Sequence, residues 1–454
     1  MIMDKDLIVK GNLILTDDIL YNSYLTIKEG KVSAISSIKP TSEELKASKF
    51  IDATDKIIFP GVIDAHVHCY SSIEEGFGNA TRSAAAGGVT TIIEMPYDAD
   101  KLICTSELFE AKKNLIENET YVDVAMLATI APKNGLDQVP LLAEAGACGF
   151  KVSLFNTHPV RFPKIEEGEL FNAFHKIRDT GRPVGVHAET DSIVTKFIEK
   201  NIANGNDPLS HCKSRPKVAE STAVLTVLEL AHYSRVKLHL YHCTFPRVFE
   251  LIEYYKENNL DVTAETCTHY LTLSEEDMKV LKAKGKINPP LRTEKDKEGL
   301  WNQLSQGKID MVTSDHAPWL LEQKQNENIF DNSSGAPGVE VLFHLLYSEG
   351  VHKNRITIQQ LAKLLSENPA KRFGLGHRKG KIQVGYDADF IIIDPNITWE
   401  IDESKMHTSS EWSPYNSKEV NGKILNTFVR GQEVYNGEIA VNKGVGEFVH
   451  AKFD

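Results

Sequence analysis

Two histidines that lie two positions apart follow an apolar run early in the chain. The run covers residues 57–63, and His66 and His68 come shortly after it. If the run is a β-strand, alternate side chains point to the same side, so the two imidazoles converge. Imidazole is a common ligand of transition metals in proteins. The pair therefore indicates half of a metal site, with two unrelated histidines as the alternative.

Further candidate ligands end other short apolar runs. His187 follows residues 183–186, His242 follows residues 238–241, and Asp315 follows residues 310–314. Each one alone is a weak signal, because a histidine at a strand end is as often a hydrogen-bonded core residue, and an aspartate there is a frequent helix cap. Four histidines and one aspartate at the ends of four expected strands favour a metal centre over coincidence.

Lys151 lies in a short apolar stretch that begins at residue 149. Burial disfavours the charged ammonium and lowers the pKa of a lysine. A neutral lysine amine can react with CO₂ to give a carbamate, an anionic group whose two oxygens can bind two cations. From its position alone, the favoured alternative is a lysine that extends its ammonium group to solvent.

The elements that must position these residues lie between about residues 60 and 374. Short apolar runs, such as residues 90–95, 122–128 and 237–241, alternate there with longer stretches of helical character. Two of these stretches, residues 221–231 and 358–365, have the spacing of leucines and valines that is typical of helices. Alternation of strand and helix predicts parallel strands. We expect a closed (β/α)₈ barrel rather than an open sheet, because no glycine-rich phosphate loop follows the first strand.

The segments that flank this region have the pattern of β-strands. Residues 6–9, 12–15, 24–28 and 31–35 form one set, with Glu29 and Gly30 at a turn, and strand-like runs return after residue 380. We expect both ends of the chain to build one β-sandwich domain from residues 1–59 and 375–454. The barrel would then cover residues 60–374, giving an α/β protein with its ligands at the carboxyl ends of the barrel strands.

Composition excludes several classes of protein. The 454 residues are 41% hydrophobic and 25% charged, which is typical of a globular chain and not of a disordered one. The net charge of -12 repels phosphate backbones and anionic lipids, so we expect neither nucleic acid nor a membrane as a partner.

Without a leader-like start or a bilayer-spanning run, we expect a cytoplasmic protein. The six cysteines lack C-x-x-C spacing and are expected to be reduced and mostly buried.

Longer motifs surround the candidate ligands. They are FPGVIDAHVH at residues 59–68, GGVTT at 87–91, GFK at 149–151, VHAE at 186–189 and SDHAP at 314–318. With further matches at residues 286–292, 366–370 and 385–389, the chain resembles the cyclic amidohydrolases of the amidohydrolase superfamily almost from end to end. This group includes allantoinases, dihydroorotases and hydantoinases.

The resemblance implies a distorted (β/α)₈ barrel, a β-sandwich, and two divalent metal ions, usually zinc. By position, His66 and His68 would bind one ion together with Asp315. The second ion would be bound by His187 and His242. An N-carboxylated Lys151 would bridge both.

The resemblance also implies a catalytic role for Asp315. Its carboxylate would take a proton from the attacking water and deliver it to the departing amide nitrogen, as a general base that becomes a general acid. The substrate would be a small cyclic amide or ureide. Relatives often form homo-oligomers, so a dimer or tetramer is expected.

Among these activities, the opening of allantoin to allantoate is the expected one. Residues 92–96, 264–270 and 412–415 match allantoinases. Dihydroorotase-like sequences carry an arginine after the histidine pair, and hydantoinase-like ones a tyrosine shortly after the lysine; this chain has neither. Hydrolysis of a hydantoin, a dihydropyrimidine or another ring is the alternative. A non-catalytic scaffold is less favoured, because every expected ligand position holds a competent residue.

Candidate substrate contacts lie on loops at the expected barrel rim. Residues 156–163 form an insert after Lys151, where Arg161 would bind an anionic or ureido group, with a solvated charge as the alternative. The other candidates would contact the ring or line its pocket: Asn288, His269, Trp319, Pro337 and Gly338.

Overall fold

The barrel consists of eight parallel strands in the computed structural model, which describes residues 6–453. The strands within these residues are β1 Leu7–Ile14, β2 Ile19–Lys28, β3 Lys31–Ser36, β4 Lys49–Pro60, β5 Val62–Val67, β6 Val89–Glu94, β7 Asp123–Met126, β8 Phe150–Ser153, β9 Pro183–His187, β10 Lys237–Leu240, β11 Val262–Cys267, β12 Met311–Thr313, β13 Phe390–Glu400, β14 Glu419–Val429 and β15 Gln432–Tyr435. Strands β5–β7 form one parallel group and β8–β12 another.

Backbone hydrogen bonds beyond the regular strands join these two groups into a closed barrel. The amide of Lys151 donates to Ala128 O at 2.8 Å, which connects β7 to β8. The amide of His68 donates to His316 O at 2.8 Å, which connects β5 to the segment after β12. The prediction of a (β/α)₈ barrel is therefore confirmed.

Most of the helices lie between the barrel strands in the chain. The α-helices are α1 Ser42–Ala47, α2 Gly76–Ala86, α3 Ser106–Lys113, α4 Ile116–Glu119, α5 Gln138–Ala145, α6 Glu167–Arg178, α7 Asp191–Asn201, α8 Leu209–Ser214, α9 Lys217–Ser234, α10 Pro246–Glu257, α11 Thr268–Thr272, α12 Met278–Leu281, α13 Glu294–Ser305, α14 Leu342–Leu346, α15 Ile358–Ala362 and α16 Asn368–Arg372. No helix among residues 6–453 is both long and apolar enough to cross a bilayer.

The two ends of the chain share one seven-stranded sheet. Its order is β15-β14-β13-β4-β1-β2-β3, so β4 from the first part of the chain pairs with β13 from the last part. This sheet has an apolar core of its own, to which Leu25, Ile58 and Phe390 contribute. The expected β-sandwich built from both ends is thus present, whereas the exact domain limits after residues 59 and 374 stay a prediction.

Two elements differ in detail from the sequence prediction. The strands expected at residues 6–9 and 12–15 are one strand, β1, because a bulge at Gly11 shifts its register without ending it. The helix expected at residues 358–365 is α-helical only as far as Ala362 and continues as a π-helix, Lys363–Glu367. The cysteines are free, and all except Cys104 are buried, as expected.

The amino ends of the barrel strands, here called the floor, are tied to the last part of the chain. Lys379 is fully buried, and its Nζ lies 2.5 Å from Asp123, 2.7 Å from Asp389 and 3.1 Å from Asp387. Asp123 begins β7, whereas Asp387 and Asp389 precede β13. The ammonium group occupies the centre of these carboxylates, so this acidic cluster is neutralised by the protein itself.

A short segment, residues 446–453, also packs against the floor. The amide of Val449 donates to Val124 O at 2.8 Å, and Val124 donates to Glu447 O at 2.9 Å. The Val449 side chain is fully buried in a cluster with Ile63 and Met311 from the barrel strands. This segment therefore closes the end of the barrel that lies opposite the candidate ligands.

Candidate metal centre and cleft

The predicted ligands lie on five barrel strands or within two residues of their carboxyl ends. His66 lies on β5 with His68 just after it, Lys151 lies on β8, and His187 ends β9. His242 and Asp315 each follow their strand by two residues and have left-handed backbones, with φ of 41° and 46°. Non-glycine residues rarely adopt this conformation, and such strain is concentrated at functional sites. Here it turns both side chains inward.

The inward atoms of these side chains converge. The Nε2 atom of His66 lies 2.8 Å from Lys151 Nζ and 3.1 Å from Asp315 Oδ1, and His68 Nε2 lies 3.7 Å from the same oxygen. On the other side, His187 Nδ1 lies 2.8 Å from His242 Nε2. All the predicted ligands are therefore brought together in two neighbouring groups.

A buried glutamate that the sequence analysis did not single out holds the first group in place. Glu265 Oε1 lies 2.5 Å from His66 Nδ1, and Glu265 also lies 3.3 Å from His239 Nε2. The amide of His242 donates to Glu265 at 3.2 Å. When His66 carries its proton on Nδ1, its Nε2 lone pair faces the centre, as a metal ligand requires.

Other polar groups orient the remaining histidines. His187 Nε2 lies 2.9 Å from Glu189, and Glu189 in turn pairs with Arg215. Although burial opposes it, the Arg215 guanidinium lowers the pKa of Glu189 to about 2. His68 Nδ1 lies 3.2 Å from Ser71 Oγ. Three of the four imidazoles, those of His66, His68 and His187, thus have one nitrogen held from outside and the other directed inward.

Lys151 and Asp315 are both buried and have shifted pKa values. Burial lowers the pKa of Lys151 to about 8, although Asp315 opposes this shift. Burial also raises the pKa of Asp315 to about 7. The charge of Lys151 opposes this rise, and that of Asp64 adds to it. No carboxylate within residues 6–453 forms a salt bridge with Lys151, so its amine is buried without an anionic partner.

This donor set fits divalent cations. Burial holds the pKa values of His66, His68 and His242 well below the ordinary value, so neutral imidazoles with free lone pairs are favoured. Two neutral imidazole nitrogens that face each other at 2.8 Å, such as those of His187 and His242, need a cation or a proton between them. His66, His68 and Asp315 form a group whose ligand atoms all lie within 4.8 Å of one another.

The centre opens into a cleft of about 590 Å³. Three of the predicted substrate-binding residues line it together with the ligands: Arg161, Asn288 and Trp319. The buried Oδ1 atom of Asn288 has no hydrogen-bond partner among the described residues, so it is free to accept one from a ligand. Gly335, next to the predicted backbone contacts, also lines the cleft.

Arg161 is presented by a small hairpin within the insert. The backbones of His158 and Phe162 exchange hydrogen bonds of 3.2 and 2.9 Å, so residues 158–162 form a tight turn. The Arg161 guanidinium donates to Ser71 O at 3.1 Å and lies 5.1 Å from the ring centre of Trp319. The insert therefore carries a positive charge into the cleft. The Trp319 ring stabilises this charge by a cation–π interaction.

Comparison with known proteins places this site in a family. Residues 57–434, well over half of the chain, match the model of the amidohydrolase family. The chain belongs to the amidohydrolase family. It is similar to an L-hydantoinase of Paenarthrobacter aurescens, with 33% identity over 98% of both chains. It is also similar to an allantoinase of Bacillus licheniformis, with 31% identity over 98% of this chain and 100% of that one.

A solved amidohydrolase structure has the same fold. The structure of the L-hydantoinase (dihydropyrimidinase) from Arthrobacter aurescens matches with a TM-score of 0.94 and 33% identity, over 99% of this chain and 100% of that chain. The barrel, the terminal sheet and the loops of the rim are all within the matched length.

The remaining predicted contacts of this amidohydrolase lie outside the cleft lining. His269 is buried, 2% exposed, beside Cys267 and Asp315. Gly338 donates its amide to His316 Nδ1 at 3.1 Å, and Pro337 precedes it in the chain. The structure thus directs the Gly338 amide to His316, and the cleft is lined by Gly335 instead.

Some residues of the site carried little signal in the sequence. Glu265 is a carboxylate inside an otherwise uncharged strand, and Glu189 stands two residues after His187, so both could have been noticed as buried charges. Arg215 and Lys286 also line the cleft. Arg215 directly follows α8, and Lys286 lies in a loop at the start of the 286–292 match. Neither residue carried a signal of its own as part of a cleft.

Proposed function

We propose that this amidohydrolase opens the ring of a small cyclic ureide, with allantoin as its first substrate and allantoate as the product. The observation that supports this most strongly is the convergence of four imidazoles, Lys151 and Asp315 beside a cleft. Both similar relatives carry names of enzymes that act on cyclic amides. A scaffold has no need for such a set of neutral, inward-facing ligands.

The ligands would hold two divalent metal ions, with zinc as the expected metal. His66, His68 and Asp315 would hold one, His187 and His242 the other, and Lys151 would bridge both as an N-carboxylate. The buried amine without an anionic partner supports this modification, because carboxylation replaces an unpaired cation with an anionic ligand. When bound, such ions lower the pKa of water and polarise a carbonyl group.

The protein itself would supply proton transfer and orientation. Asp315 faces the cleft and would accept a proton from the attacking water and then give it to the leaving nitrogen. Asn288 Oδ1 would accept a hydrogen bond from a ring N–H. The Arg161 guanidinium would bind the carbonyl oxygen of the exocyclic ureido group, which orients the ring relative to the ligands.

A hydantoin with a polar substituent is the second candidate substrate. It is favoured by the 0.94 TM-score to the L-hydantoinase and by the same Arg161, which could bind any exocyclic acceptor.

We further propose that the protein acts in the cytoplasm as a homo-oligomer, either a dimer or a tetramer.

Metal analysis and a substrate panel test this proposal. Protein grown with zinc and bicarbonate is expected to contain about two metal ions per chain and to hydrolyse allantoin faster than hydantoin, dihydrouracil or dihydroorotate.

Asp315→Asn is expected to lower kcat by about 10²–10⁴-fold, because the proton shuttle is lost. Asp331→Asn, which changes another carboxylate at the cleft, serves as the matched control. Protein without bound metal, or with an unchanged kcat in Asp315→Asn, would contradict the proposal.

A further inference from the structure

A second group of potential metal ligands lies on the far side of Asp315. Cys267, His269 and Asp315 each place one ligand atom within 4.8 Å of the other two. Cys267 ends β11, and His269 lies on α11, which follows at once. Cys267 is completely buried, His269 is 2% exposed and Asp315 is 8% exposed. The group is therefore part of the molecule's interior, and of its three residues Asp315 alone is among those that line the cleft.

One ring nitrogen of the histidine in this group lacks a partner among the described residues. His269 Nε2 is buried and has no hydrogen-bond partner among residues 6–453. The Cys267 thiol has one hydrogen-bond partner among the described residues, Thr313 Oγ1, at 3.5 Å. A buried imidazole nitrogen without a partner costs free energy, and such groups in folded proteins commonly indicate a ligand.

The three side chains have the chemistry of a zinc-type site. A thiolate, an imidazole and a carboxylate are all ligands of Zn²⁺, and the thiolate adds a preference for softer ions such as Cd²⁺. Ligand atoms around a tetrahedral ion of this size are about 3.5 Å apart, so side-chain movements of about 1 Å would complete the site. The Asp315 carboxylate and the thiolate would neutralise the charge of the ion.

We propose that Cys267, His269 and Asp315 form an inhibitory binding site for a Zn²⁺ or Cd²⁺ ion in excess of the catalytic metals. On binding, the ion replaces the thiol proton, which passes to solvent, and draws the Asp315 carboxylate towards Cys267. The inhibitory effect rests on the proposed function, in which Asp315 is both the proton shuttle and a ligand of a catalytic metal ion. Binding itself does not depend on that function.

Titration of the zinc-loaded protein with cadmium chloride tests the site. Cadmium bound to a thiolate absorbs in the ultraviolet, and we expect one such charge-transfer band per chain, growing in step with loss of hydrolysis. Cys267→Ser is expected to lose the band and to need at least about tenfold more cadmium for half inhibition, because its hydroxyl is a poor ligand for this ion. Cys148→Ser, which changes another buried cysteine outside the group, should behave like the unmodified protein.

The band and the activity distinguish the two proposals. A Cys267-dependent band in a protein without hydrolytic activity would uphold the metal site and reject the proposed function. Active protein with no band, or with the same band in Cys267→Ser, would reject the metal site alone. A band that depends on Cys267 but leaves hydrolysis unchanged would reject the inhibitory role.

Discussion

Glu265 links both halves of the candidate metal centre, although it is not itself a predicted ligand. It contacts the His66 ring on one side and the His242 backbone on the other, and it is completely buried. Burial raises the pKa of its carboxyl group well above the ordinary value, with Lys151 opposing this shift. Its position makes the orientation of two ligands depend on one side chain.

Substitution of this residue is expected to weaken metal binding without removing a ligand. In Glu265→Gln, an amide replaces the carboxyl group that orients the His66 ring, and zinc affinity should fall by about 10–100-fold. Competition with a chelator measures this affinity directly, and excess zinc should restore activity. Glu199→Gln, at an exposed salt bridge, is the control. Equal zinc affinities in all three proteins would show that Glu265 does not orient the ligand.

At the scale of elements, the hairpin of residues 158–162 places Arg161 at the cleft. Its turn is closed by backbone hydrogen bonds, and the amides of Val160 and Arg161 also donate to His158 Nδ1 at 3.3 and 3.0 Å. The guanidinium is thereby held at a defined place. We infer that the hairpin selects substrates by the group outside the ring.

Arg161→Met is expected to raise KM for allantoin by roughly 10–100-fold, because a charge-assisted hydrogen bond worth about 1.5–3 kcal/mol is lost. Steady-state kinetics should give a nearly unchanged kcat. For unsubstituted hydantoin, which lacks the exocyclic group, KM should not change. Arg161→Lys keeps the charge and should show a smaller effect. A KM increase of the same size for both substrates would assign Arg161 to loop structure instead.

The sequence predicted the barrel strands and the convergence of the candidate ligands, for a physical reason. Buried parallel strands are short continuous apolar runs, and His66, Lys151 and Asp315 interrupt or end such runs at visible positions. The contacts of Glu265 and Lys379 were not predictable in this way. Their partners are distant in the chain, and only the three-dimensional structure determines which charges meet.

At the scale of the whole molecule, Lys379 connects the barrel with the terminal sheet. Its ammonium group bonds carboxylates from both parts, and Arg430 from the loop after β14 pairs with Asp123 as well. Although burial opposes it, the Lys379 ammonium together with Arg430 lowers the pKa of Asp123 to about 2. The network therefore holds the two parts of the fold together with buried charges.

Lys379→Met is expected to lower the free energy of unfolding by about 3–5 kcal/mol, because it leaves buried carboxylates without their cation. Urea unfolding at neutral pH measures this change. Lys381→Met removes a partly exposed pair with Glu367 and should cost no more than about 1 kcal/mol. Similar losses in both variants would mean that the buried network does not stabilise the fold.

The same network predicts how stability depends on pH. The pKa of Asp123 is lower in the folded protein than its ordinary value of about 4. Its contribution to the free energy of unfolding is therefore complete above about pH 4. The contribution is lost as the pH falls from about 4 towards 2, where the folded carboxylate also takes up a proton. Unfolding free energies measured across this range should fall more steeply for the unmodified protein than for Asp123→Asn. Parallel curves would contradict the assigned pKa.

The segment that closes the floor has a consequence for how the protein is made. A ribosome delivers β5, the first barrel strand, several hundred residues before Val449. Until Val449 emerges, the apolar cluster around Ile63 and Met311 lacks one of its members and remains open at the floor. Completion of the barrel during translation must therefore wait until residues 446–453 have left the ribosome exit tunnel, and the nascent barrel is exposed to aggregation and to chaperones for that time.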